Sequence, residues 1–154
     1  MLRISKLTDY ATVVLAALAE QPDQLRTAAA LAGKTRIAAP TVSKLLKQLH
    51  RAGLLSSARG LHGGYQLARP PAQITVAAIL DALEGPMTLT DCSGGQGHCG
   101  IEHHCRVAPV WQRLNVALRR ALSDVTLAEL AGLDPVQPRL PMMEHQIKLA
   151  SRHD

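Results

Sequence analysis

Apolar residues recur at helical spacing along the first third of the chain. Ala11, Val14, Leu15 and Leu18 predict a helix over Thr8–Glu20, with Thr8 as its N-cap. Thr27 caps a second, shorter helix from Ala28 to about Lys34, and a short turn follows through Thr35–Ala39. Pro40 opens a third helix, Thr41 to about Ala52, because proline suits a first helical position, and Gly53 ends it. In that helix Val42, Leu45, Leu46 and Leu49 form one apolar stripe, and Thr41, Ser43, Lys44, Lys47 and Arg51 lie opposite. A pair of short helices across a tight turn, the second polar and basic on its outer face, is the helix-turn-helix pattern.

The pattern then changes period. Leu54–Ala58 and Tyr65–Ala68 predict strands, joined by the turn Arg59-Gly-Leu-His-Gly-Gly64. A basic hairpin directly after a reading helix makes a winged helix, which Pro70-Pro71 closes. Ile74, Val76, Ala77, Ile79, Leu80 and Leu83 predict a linker helix over Thr75–Glu84, ended by Gly85-Pro86. Beyond a glycine-rich stretch, Trp111, Leu114, Leu118, Ala121 and Val125 step by three and four residues in a heptad-like seam. A long helix with one such seam, attached to a small domain, either packs on a second copy or folds onto its own domain; we expect a homodimer. A short helix over Leu127–Ala131 follows, and the proline steps beyond Gly132 predict a loose tail. The expected fold class is mainly α with a small β-hairpin wing. Its expected parts are a winged helix-turn-helix DNA-binding domain (1–71), a linker helix (72–91), a cysteine loop (92–105), a dimerisation helix (106–131) and a tail (132–154).

Charge sharpens the assignment of the first half. The 154-residue chain carries a net +5, yet residues 1–70 hold ten Lys and Arg against three acids, a local +7. Such an asymmetry points to a polyanion, most often nucleic acid, although a solvated basic surface would look alike. Tyr10, Tyr65 and Trp111 are the only aromatic residues, too few for single-strand binding by base stacking. No run is long and apolar enough for a membrane span, and the N-terminus lacks a signal peptide's apolar stretch, so a cytoplasmic location is expected. On the third helix we expect Thr41, Ser43, Lys44 and Lys47 to contact bases or phosphates. From the wing, Arg59 and His62 should reach the backbone or minor groove. Gly60, Gly63 and Gly64 are expected to let the wing turn tightly and approach DNA closely.

All the thiols lie in one segment: Cys92, Cys99 and Cys105, with six and five residues between them. An odd number of cysteines in one short loop argues against a disulfide framework. A soft-metal site remains, iron–sulfur or zinc. Long glycine-rich intervals let the backbone curl around a cluster, whereas mononuclear zinc more often uses Cys-x-x-Cys knuckles. The bland alternative is three free surface thiols. His98, Glu102, His103 and His104 lie in the same segment, either as a further ligand or as solvent-exposed loop.

These parts, in this order, resemble the bacterial iron–sulfur winged-helix repressor family that includes IscR and NsrR. The matching words are Leu7-Thr-Asp-Tyr-Ala11, Pro40-Thr-Val-Ser-Lys-Leu45, Arg59-Gly-Leu-His-Gly-Gly-Tyr65, the cysteine segment and Thr126-Leu-Ala-Glu-Leu130, over about residues 1–131. The wording is most similar to the branch regulating suf-type cluster assembly genes. The resemblance implies a homodimer with one iron–sulfur cluster (2Fe-2S or 4Fe-4S) per subunit. It also implies binding to a near-palindromic double-stranded promoter site, under control of the cluster. Cys92, Cys99 and Cys105 would be the cluster thiolates. IscR-like members carry a histidine three residues after the last cysteine; this chain has Ala108 there. NsrR-like members use an aspartate of the Thr-Asp-Tyr word, donated by the other subunit, and Asp9 holds that position here. A carboxylate in a first helical turn is also favoured simply by the helix macrodipole, so the fourth ligand stays open. The function expected is a cluster-dependent repressor of suf-type genes. Its rivals are a nitric oxide sensor of the same family and a structural-zinc DNA-binding protein. An electron-transfer enzyme would leave the basic wing unexplained, and no small-molecule substrate site is evident.

Overall fold

The computed structural model describes residues 4–93, Cys92 by its backbone, and 105–135. Cys99, His98, Glu102, His103, His104 and the tail beyond residue 135 lie outside the described residues. Helices α1 (Lys6–Ala19), α2 (Ala28–Thr35) and α3 (Ala39–Arg51) come first, then strands β1 (Leu55–Ala58) and β2 (Gly64–Leu67). A 3-10 turn, Pro71–Gln73, leads to α4 (Val76–Glu84), and a second, Asp91–Ser93, precedes the long α5 (Ala108–Asp124) and short α6 (Leu127–Leu130). Among the described residues no helix is long and apolar enough to cross a membrane.

Each helix start has a local cause. Ser5, not Thr8, caps α1: its hydroxyl accepts from the Thr8 N–H, so the helix begins earlier than expected. Thr8 is instead buried, and its hydroxyl donates to the carboxylate of Glu84. Thr27 caps α2 and Thr75 caps α4, each accepting from the N–H three residues on. Helix α3 begins at Ala39, with Pro40 inside the first turn. Proline is tolerated there because first-turn N–H groups have no intrahelical partner. Between α2 and α3 the chain turns at Arg36, whose φ of 58° lies in the left-handed region. Thr126 and Glu129 form a reciprocal capping box that starts α6.

Leu15, Leu18, Leu31, Leu45, Leu46, Leu49 and Leu54 are fully buried and hold the helix-turn-helix together. Burying each such side chain contributes roughly 1.5–3 kcal/mol. Ile74, Ile79 and Leu127 join the same core, so the chain beyond α5 returns to the first domain. The Leu127 N–H donates to the Ile74 carbonyl at 2.7 Å, the Val76 N–H donates to Val125 at 2.9 Å, and α6 packs on α1. Helix α5 is thus anchored at its C-terminal end to the N-terminal helical core.

The hairpin pairs antiparallel, from Leu55 with Leu67 to Ala58 with Gly64. Tyr65 also bridges Arg26, exchanging backbone hydrogen bonds of 2.9 and 2.8 Å. At Gly64 a Cβ would lie 2.7 Å from the Arg26 backbone, so glycine there admits the chain entering α2, a requirement the sequence did not show. At Gly63 a Cβ would meet the Ala58 carbonyl at 2.4 Å, which is the tight turn expected.

Candidate DNA-reading face and cysteine segment

Helix α3 divides cleanly. Val42, Leu45, Leu46 and Leu49 are buried, Lys44, Lys47 and Arg51 are exposed, and Thr41 and Ser43 are half-buried at the edges. Pro40, Ser43, Lys44, Lys47, Gln48 and Arg51 line one open cleft on the outer face. No acidic residue occurs anywhere between Asp23 and Asp81, so α2, α3 and the wing carry only positive charge of their own.

The wing is tied to α3. His50, in the last turn of α3, lies 3.2 Å from the Ser57 hydroxyl on β1. Its ring also meets Tyr65 of β2 edge-on, with centroids 6.2 Å apart. Arg59 and His62 are exposed at the wing tip, and between them Leu61 stands 95 % exposed. The structure therefore brings the basic residues of α3 and the wing onto one rigid unit. His50 was not singled out by the sequence, because its partners are supplied by the fold.

The cysteine segment leaves from the end of α4. There Glu84 accepts hydrogen bonds from Ser5 and Thr8, which hold its carboxyl below the ordinary value. A carboxylate at the C-terminus of its own helix is unfavourable for that helix's dipole. Here it serves the N-terminus of α1, where negative charge is favoured. One residue earlier, the Leu83 carbonyl accepts from the Gln48 side chain of α3 at 3.3 Å. The last turn of α4 is thus joined to both α1 and the reading helix.

From Gly85 the chain runs to the turn Asp91–Ser93, which packs on α5. The Ser93 hydroxyl closes this turn on Thr90, accepting from its N–H at 2.9 Å and donating to its carbonyl at 2.8 Å. Asn115 of α5 holds the same stretch at two points: Oδ1 accepts from the Leu89 N–H at 3.2 Å and Nδ2 donates to the Ser93 carbonyl at 3.3 Å. Further along α5, Arg119 forms a two-pronged ion pair with Asp81 of α4, which raises the pKa of the guanidinium. Cys105, half-buried, stands just before α5, and Ala108 in the first turn is buried. Two of the three thiol-bearing residues therefore flank the N-terminal half of α5.

Asp9 is exposed in the first turn of α1 and lines an open hollow with Ile4, Ser5 and Lys6. Among the described residues no three metal-ligating side chains converge on one point. Within one chain the structure does not bring Asp9 to a described thiol. Among the described residues nothing covers the outer seam of α5: Trp111 is 39 % and Leu114 45 % exposed, and Val125 just beyond the helix is also open to solvent.

A family model, Rrf2, described as an iron-dependent transcriptional regulator, matches residues 4–132. The Synechocystis protein slr0846, named an HTH-type transcriptional regulator, is 34% identical over 130 residues, 84% of this chain and 87% of its own. NsrR of Oceanobacillus iheyensis is 30% identical over 131 residues, 84% of this chain and 89% of its own. Among solved structures, CymR, the global cysteine regulator of B. subtilis, superposes with a TM-score of 0.69 at 27% identity, covering 87% of this chain and 99% of its own. IscR of T. potens superposes with a TM-score of 0.64 at 26% identity, covering 92% and 96%. These matches are to transcriptional regulators, not to enzymes.

Proposed function

Because the chain belongs to the Rrf2 family of winged-helix transcriptional regulators, we propose that it is a homodimeric repressor whose operator affinity is set by an iron–sulfur cluster. The observation that carries this is the position of the thiols. Cys92 and Cys105 border one segment between α4, which touches the reading helix, and α5, whose outer seam is apolar and open. Cys92, Cys99 and Cys105 would hold the cluster. Three thiolates are the right donors for iron and sulfide, and a bound cluster supplies a charge and a ligand demand that change with oxidation state. Asp9 of the second subunit is the proposed fourth ligand. It is exposed, and no described partner within its own chain occupies its carboxylate in the way Thr8 occupies that of Glu84.

The second copy is assigned to the outer face of α5. Trp111, Leu114 and Val125 are large apolar side chains in one seam, with Leu118 half-buried beside them. Pairing two such seams buries apolar area that a monomer would leave in water. The dimer presents two copies of α3 and the wing to a near-palindromic duplex, with half-sites about one DNA turn apart. Thr41 and Ser43 are assigned to bases, Lys44 and Lys47 to phosphates, and Arg59 and His62 to the flanking backbone or minor groove. The proposed targets are suf-type cluster assembly genes.

A nitric oxide sensor is the second reading. It is favoured by Asp9 standing in the Thr-Asp-Tyr word and by the similarity to NsrR along 84% of this chain. Anaerobic purification tests the cluster itself. The expected product is brown, with visible absorption bands and iron and acid-labile sulfide in matching amounts. A colourless protein containing zinc, or no metal, would contradict the proposal.

A further inference from the structure

Asn115 sits inside α5, where asparagine is a poor choice for the helix itself, about 0.6 kcal/mol worse than alanine. Its side chain explains its presence. An amide is at once donor and acceptor, and both ends are used on backbone groups of a single short stretch: the Leu89 N–H and the Ser93 carbonyl. Those two groups lie on either side of Cys92. Within the stretch, Ser93 and Thr90 close the turn through their own hydrogen bonds. One helical turn further along α5, Arg119 grips Asp81, so the register of α5 against α4 is fixed where Asn115 acts.

We propose that Asn115 is a positioning residue for the Cys92 thiolate, clamping its turn to α5 so that the first cluster ligand is set before the cluster assembles. This rests on the cluster proposal above. Outer partners that fix a metal ligand's orientation reduce the ordering cost of binding, and their loss typically weakens a site by one to two orders of magnitude. Asn115 acts through the backbone on both sides of Cys92. The clamp also joins the first ligand to the helix assigned to the second copy, so cluster and dimer share one rigid piece.

The test uses Asn115→Ala, with Asn115→Asp as the graded variant that keeps the acceptor for Leu89 and loses the donor for Ser93. Both full-length proteins are purified anaerobically beside wild type. In the apo proteins, Cys92 alkylation by iodoacetamide, mapped by mass spectrometry, should change by about fivefold or more in Asn115→Ala while Cys105 stays the same. Amide exchange at Leu89 should lose protection in Asn115→Ala and keep it in Asn115→Asp. In the holo proteins, loss of visible absorbance to a chelator should speed up on the order of tenfold in Asn115→Ala, with Asn115→Asp between. Unchanged Cys92 alkylation and Leu89 exchange would overturn the clamp. Changed alkylation with an unchanged rate of cluster loss would overturn its role toward the cluster. A variant with reduced helix content would also overturn it, because Asn115 would then support the fold at large. Wild type without iron would sink the cluster proposal alone, and the alkylation and exchange arms would still decide whether Asn115 positions Cys92.

Discussion

The side-chain amide of Gln48, on the reading helix, donates to the carbonyl of Leu83, in the last turn of α4, across 3.3 Å. That turn is where the chain departs for Cys92. A change of state in the cysteine segment therefore has a direct neighbour on α3, the helix proposed to read DNA. If this contact carries the signal, Gln48→Ala should leave apo and holo proteins with more nearly equal operator affinities. The stability cost should be only about 1 kcal/mol, the worth of one ordinary hydrogen bond. Titration of a labelled operator by both forms measures this, and an unaltered holo-to-apo ratio would remove Gln48 from the route.

The contact between Thr8 and Glu84 predicts a pH dependence. Hydrogen bonds from Ser5 and Thr8 lower the Glu84 pKa below 4.5 in the folded state. A depressed carboxylate stabilises the fold fully above its unfolded value and loses that contribution as pH falls through the folded value. Glu84→Gln should therefore be less stable than wild type at pH 7, with the gap closing below about pH 4.5. Urea unfolding across a pH series from 7 down to about 3 checks it; a gap independent of pH would mean that the charge is not involved.

Lys44 and Lys47 project from α3 without a buried role. As phosphate contacts, each alanine substitution should weaken all duplexes alike and lower the salt slope by about one. Thr41→Ala and Ser43→Ala should instead change which base pairs are preferred. Affinity measured across a salt series, on operator and on scrambled duplex, separates the two behaviours.

Arg36 turns the chain between α2 and α3 with a φ of 58°. An L-residue in that conformation costs about 1–2 kcal/mol, part of which glycine recovers before its own entropy is charged. Arg36→Gly should thus raise stability by about 0.5–1 kcal/mol, and Arg36→Ala should not. Equal unfolding midpoints for the two variants would show that the turn is not strained.

The helix-turn-helix, the hairpin and the long apolar helix were legible in the sequence because each rests on local signals. Leu45, Leu46 and Leu49 repeat at helical spacing, Thr27 caps α2 as expected, and Gly53 ends α3 at a positive φ. What the sequence hid is long-range. Thr8 looked like a cap because its hydroxyl resembles one, but its partner Glu84 is seventy-six residues away. Gly64 read only as part of the wing turn, but it also admits the backbone of Arg26. Asn115 carried no signal at all, since an asparagine on a helix face reads as solvent-exposed until the Leu89–Ser93 stretch is folded onto it.

The central claim is that a cluster on Cys92, Cys99 and Cys105 sets operator affinity. It is tested most directly by measuring, under anaerobic conditions and at one salt concentration, the affinity of holo protein, of the same preparation after cluster removal, and of Cys99→Ala for the promoter of the suf-type genes proposed as its target. The account predicts at least a tenfold difference between holo and cluster-free protein, with folded Cys99→Ala behaving as the cluster-free form whatever its treatment. Equal affinity in all three samples would contradict it.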